Sequence, residues 1–120
     1  MKVLPQEIEL YYLIPAVRRE LSKILIHDFS LSQKQVADIL GVTESAVSQY
    51  VKSKRARELK FTKEEISEIR KTAHVIIQDK KNCNKHIFDL TLKFRGADNI
   101  CKIHRKFDKS ISGDCKICVQ

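Results

Sequence analysis

Little in this sequence bends the chain or loosens it. Three glycines and two prolines in 120 residues, with no internal repeat, argue against a flexible linker, a disordered tail or a solenoid of stacked units. No segment alternates apolar and polar residues for long enough to make a convincing strand. Long apolar runs are missing too: the best, Leu10–Val17, falls far short of the roughly 20 residues that span a bilayer. The opening MKVLPQEIEL lacks a secretory core. These absences lead to the expectation of a soluble, cytoplasmic chain with no membrane partner. There is no nucleophile–base pair, phosphate loop or pair of acids either, so the chain does not read as an enzyme, and no small-molecule substrate is implied.

What is present is helical patterning and positive charge. Apolar residues recur at helical spacing almost throughout, which predicts an all-α fold. Pro5 and Pro15 each suit a first turn, so a short helix is expected at 5–13 and a longer one at 15–28, burying Val17, Leu21, Ile24 and Leu25. Ser32 can cap a helix over 33–40, and Thr43 one over 44–52. Thr62 and Glu65 have capping-box spacing, and Phe61 and Ile66 can form a hydrophobic staple, at the start of a helix from Lys63 to about Asp79. Its stripe of Ile66, Ile69, Ala73, Ile76 and Ile77 suits either a dimer surface or the intramolecular core. A further helix at 84–95 should bury Ile87, Leu90 and Phe94 and stop at Gly96. Residues 97–120 hold few apolar groups and are not expected to fold on packing alone. A formal net charge of +8 and a pI near 9.4 predict attraction to a polyanion, nucleic acid or an acidic membrane face.

The stretch LSQKQVADILGVTESAVSQYVKSKR, residues 31–55, has the intervals of a helix-turn-helix. Ala37 falls where two helices cross closely, and Gly41 falls in a turn that needs a positive φ. Val36, Leu40, Val42, Val47 and Tyr50 or Val51 supply a shared core. In such a motif the second helix enters the major groove of duplex DNA. That exposes Thr43, Glu44, Ser45, Ser48, Gln49 and Lys52 to base edges and phosphates, with Gln33 at the start of the first helix. Gln49 can pair bidentately with adenine. Beyond it, Lys52, Lys54, Arg55, Arg57 and Lys60, opposed by Glu58, form a basic run suited to phosphates.

Cys83, Cys101, Cys115 and Cys118 form the second constellation. In a reducing compartment four cysteines bind metal more often than they cross-link. Four thiolates complete either a tetrahedral zinc site or an iron–sulfur cluster. A zinc ribbon usually offers two close pairs, and here Cys115-Lys-Ile-Cys118 is the close one while Cys83 and Cys101 arrive singly. Scattered single ligands suit a bulky cluster, and they can also grip zinc. His104, three residues after Cys101, can replace a cysteine, donate to a ligand from outside the shell, or lie on the surface; His86 is expected to be exposed. The close pair ends an all-helical chain, not the strand-to-helix junction where a thioredoxin-like motif belongs.

The opening PQEIELYYLIPAVRREL, the helix-turn-helix and the ending CKIHRKFDKSISGDCKIC together resemble a group of small archaeal regulators of the XRE (Cro/repressor) type, across most of the chain. The resemblance implies a DNA-binding domain at 1–60, a connecting or dimerising helix at 61–80 and a cysteine-rich cluster-binding domain at 81–120. It also implies a four-cysteine iron–sulfur centre, a [4Fe-4S] cluster, with Zn2+ as the alternative. The expected whole is a homodimeric transcriptional regulator that reads a palindromic operator in double-stranded DNA. Control comes through the cluster, or, in the alternative, zinc stabilises a constitutive DNA-binding or protein-interaction module.

Overall fold

A computed structural model describes residues 4–52, 59–95 and 98–108. Among these the secondary structure is helical throughout, with no strand. Pro5–Ile8 (α1), a π-helical segment Glu9–Leu13, and Ile14–His27 (α2) follow one another without a break. The two helices expected on either side of residue 14 are therefore one rod, and Pro15 accounts for its π segment. Proline cannot donate to the carbonyl four residues back, and its ring crowds that carbonyl. In the widened turn the Ile14 N–H reaches the Glu9 carbonyl, five residues back, and the helix continues past the ring. Ile14 stays helical at φ −62 and ψ −47, against the usual bias of a residue before proline. Burial holds the rod together: Ile8, Leu13, Ala16, Val17, Leu21, Ile24 and Leu25 all lie in the core, each large side chain contributing about 1.5–3 kcal/mol.

The next two helices, Gln33–Leu40 (α3) and Glu44–Val51 (α4), start where the sequence predicted. The Gln35 N–H donates to the Ser32 hydroxyl at 3.1 Å, and the Ser32 N–H donates to the Gln35 side chain at 2.9 Å. The Ala46 N–H donates to the Thr43 hydroxyl at 3.0 Å. Between the helices Gly41 takes φ +69, and the Val42 N–H closes the end of α3 on the Ala37 carbonyl at 3.1 Å. Val36, Ala37, Leu40, Val47 and Tyr50 are buried, while Val42 and Val51 are half-buried. α2 packs against both helices.

Lys63–Gln78 (α5) and Cys83–Phe94 (α6) form an antiparallel hairpin through a 3-10 turn at Lys80–Asn82. The expected capping box is formed, with the Thr62 N–H on Glu65 at 2.8 Å and the Glu65 N–H on the Thr62 hydroxyl at 3.2 Å. Phe61 meets Phe94, ring centroids 5.4 Å apart. Ile69, Ala73 and Ile76 are buried within the chain, and Ile66 and Ile77 pack half-buried against the same core. Of the two roles open to this stripe, the structure selects the intramolecular one. α6 ends because Arg95 turns extended, φ −61 and ψ 129; the stop expected at Gly96 lies outside the described residues.

Packing also reaches further along the chain than its composition suggested. Asp98–Phe107 (α7) buries Ile100 and Ile103 and lies against α1. Arg95 reinforces the junction, its Nε and Nη2 reaching the two Glu9 carboxylate oxygens at 2.7 and 3.3 Å. The buried apolar residues from Ile8 to Ile103 form a single cluster. No helix among the described residues is long and apolar enough to cross a membrane.

A Cβ added at Gly41 meets no heavy atom within 4 Å, so its cost is conformational. Gly41→Ala is expected to lower unfolding free energy by about 1–2 kcal/mol. Gly41→Asn should recover much of that loss, because Asn tolerates the left-handed region; urea denaturation of the three proteins checks both.

Candidate functional site

One face of α4 is backed by the core and the other is turned outward. Ala46, Val47 and Tyr50 are buried on the inner side. Ser45, Ser48, Gln49 and Lys52 occupy the opposite side at helical spacing; Ser45 and Lys52 are exposed, Ser48 and Gln49 half-buried. Glu44 is exposed in the first turn, where its charge favours the helix N-terminus. Thr43 is exposed, and its oxygen already serves as the cap of α4. Gln33 is half-buried at the start of α3, beside exposed Lys34, a cation the sequence reading passed over. Lys54, Arg55 and Arg57, expected on phosphates, lie outside the described residues.

Where the chain resumes after that basic run, Leu59 is buried at 1% exposure. Its carbonyl accepts a hydrogen bond from Arg19 Nη2 at 2.9 Å. Arg19 is itself only 6% exposed, and its Nε reaches Glu20 at 3.1 Å. A buried guanidinium is tolerated only when hydrogen-bonded and charge-compensated, and these partners do both. The effect is to pin the far end of the basic run onto α2, the helix that also backs α4. Sequence reasoning missed this contact, because the Arg18–Arg19 doublet reads as solvated charge and nothing in its spacing marks one member as buried.

Two of the four cysteines, Cys83 and Cys101, lie among the described residues, and both are thiols there, with no disulfide between them. Cys83 opens α6 and is 3% exposed. Burial pushes its thiol pKa up, and the Arg18 guanidinium pulls it part of the way back. Cys101 is half-buried on α7 and lines a cleft with Pro5, Ile8, Glu9, Arg95 and His104. Cys83 takes no part in lining that cleft. The helix rises about 18 Å between Cys83 and Arg95, whereas two sulfurs on one zinc, at Zn–S about 2.3 Å, stand about 3.8 Å apart. The two thiols thus have different neighbours, one at the head of α6 and the other beside the residue that follows its end. Cys115 and Cys118 lie outside the described residues. Among the described residues no three His, Cys, Asp or Glu side chains come together as a group able to hold a metal.

The histidines separate as well. His104 is buried, 5% exposed, and faces the Cys101 cleft. His86, expected at the surface, is half-buried with Nε2 2.9 Å from Asp79 Oδ2. That hydrogen bond, followed by those from Asn82, holds the Asp79 carboxyl below its usual range and fastens the α5–α6 turn. His74 stands edge-on to Phe29, ring centroids 4.9 Å apart. No protein-family model matches this chain, and no curated protein or solved structure matches it.

The raised Cys83 pKa has a testable sign. The folded state resists deprotonation more than the unfolded chain does, so this contribution to stability is present below the ordinary thiol pKa and is lost as pH rises above about 8.5. Urea midpoints of the reduced, metal-free protein from pH 7 to 9.5 should fall more steeply for the native chain than for Cys83→Val.

Proposed function

We propose that this chain is a sequence-specific double-stranded-DNA-binding transcriptional regulator, working as a homodimer on a palindromic operator. The observation that supports this best is the α3–Gly41–α4 unit. It is a short helix pair capped at both starts, closed by a glycine in the left-handed region, with Ser45, Ser48, Gln49 and Lys52 on the outward face of its second helix. An α-helix fits the B-DNA major groove, and those side chains carry the donors and acceptors that read base edges. Exposed Lys34 and Lys52, together with Lys54, Arg55 and Arg57 in the following run, supply phosphate contacts that carry affinity without sequence information. One such module buries little surface, and two-fold pairing doubles it over half-sites about one helical turn apart.

Two forms of metal control are compatible with the cysteine content: a regulator governed by an iron–sulfur cluster, and a constitutive DNA binder stabilised by zinc. Four thiolates at one point would supply the first with its redox-active centre.

Selection of bound sequences from a random duplex pool, followed by titration, tests the DNA reading. A preferred palindrome is expected. Gln49→Ala should lose about 1–3 kcal/mol on that site and relax preference at one base position. Lys52→Ala should weaken all sequences alike and reduce the slope of log affinity against log salt by about 1. Equal affinity for every duplex, or tighter binding to structured RNA of the same length, would remove the reading.

A further inference from the structure

The hairpin of α5 and α6 carries an open groove along one of its seams. One stretch is lined by Lys71, Val75, His86, Asp89 and Leu90, and the other by Glu64, Glu65 and Phe94. Glu68 and Lys93 line both stretches, so the two run into each other. Leu90 and Phe94, which the core already buries, supply an apolar floor, and Val75 adds an apolar side chain that stays 44% exposed. The groove is distinct from the isoleucine stripe of α5, which lies against the core.

The charges along the groove are not evenly spread. At the Phe94 end Glu64, Glu65 and Glu68 stand with Lys63 and Lys93. At the Val75 end Lys71, Lys80, Lys81 and Lys85 stand with Asp79 and Asp89, and His86 is hydrogen-bonded to Asp79. Glu68, reached by Lys71 and by Lys93 at 3.4 Å each, lies between the two ends. One end is therefore acidic on balance and the other basic. Such a surface is complementary to a copy of itself turned end for end, which is the condition for an isologous two-fold interface. Its size also suffices. α5 has 16 residues, so the hairpin face measures about 24 Å by about 20 Å. Two such faces cover about 1,000 Å², the area at which a specific interface begins.

We propose that the α5–α6 groove is the dimer interface of this protein, filled by the same groove of a second copy turned antiparallel, so that two hairpins make a four-helix bundle about a two-fold axis. The Glu64 end of one copy then lies against the Lys71 end of the other, and each Val75 enters the shared apolar floor. α5 packs on α2, and α2 backs α4, so pairing here sets how far apart two reading helices stand. It leaves their outward faces open, because no residue of α4 lines the groove. This inference rests on the homodimer of the DNA-binding reading and names the surface that makes it.

Sedimentation of the full chain without DNA, across micromolar concentrations, tests it. The native protein is expected to dimerise. Val75→Lys should weaken self-association by more than about tenfold, because like charges are brought together in a dry contact, with its helical circular dichroism unchanged. Glu64→Lys and Lys71→Glu should each weaken it as well, and an equimolar mixture of those two should regain dimers, since the exchanged charges again meet their opposites. Phe88→Lys, at an exposed apolar position of α6 outside the groove, should dimerise as the native chain does. A native chain that stays monomeric overturns the proposal, as does a folded Val75→Lys that still dimerises, dissociation by Phe88→Lys, or a mixture that fails to pair. Should Val75→Lys fail to fold, the charge exchange decides the question alone. A dimer formed through this groove by a protein with no preference among duplexes removes the DNA reading and leaves the interface standing. Selection of a palindrome by a Val75→Lys protein that remains dimeric does the reverse.

Discussion

Everything described in this fold leans on the helical rod from Pro5 to His27. Its first turn receives α7, and its later turns receive α3, α4 and α5. That depends on the rod's passing Pro15 without breaking, which the π segment allows by moving one hydrogen bond to the fifth residue back. A break at Pro15 would make α1 and α2 two short helices free to swivel, and the contact with α7 would be separated from the contacts with α3 and α4. Side chains buried on both sides of the proline, Leu13 before it and Ala16 and Val17 after it, oppose such a break.

The parts legible in the sequence were those fixed by local chemistry. Ser32, Thr43 and Thr62 cap where expected because a cap is decided by a side chain and an N–H within three residues of each other. Gly41 adopts the left-handed conformation its position demanded. Apolar periodicity also gave Leu21, Leu25, Ile69, Ile76 and Leu90 correctly as buried. What stayed hidden was long-range. The Arg19 bond to the Leu59 carbonyl spans 40 positions, and the Arg95 pair with Glu9 spans 86; no periodicity connects them. Pro15 misled for a different reason: proline is a reliable helix starter, but a π turn lets it continue a helix as well.

The cysteines show the same limit from the other side. Counting them along the chain gave a set of four, because sequence spacing cannot say which end of a helix a residue's neighbours occupy. The structure puts Cys83 at the buried head of α6 and Cys101 in the cleft beside Arg95, together with buried His104.

The contact of α7 with the rod then links α7 to the helices packed on the rod's later turns. Ile100 and Ile103 are buried, and Arg95 is paired with Glu9 while its side chain stays 41% exposed. A half-exposed pair of this kind contributes at most about 1 kcal/mol, so apolar burial by two isoleucines carries most of this contact, and it is a thin hold for a ten-residue helix. Because the rod is continuous from α1 to the surface that backs α4, firmer docking at one end would steady the outward face of α4 at the other. On this reasoning α7 and the outward face of α4 are coupled through one continuous element, and no contact between them is required.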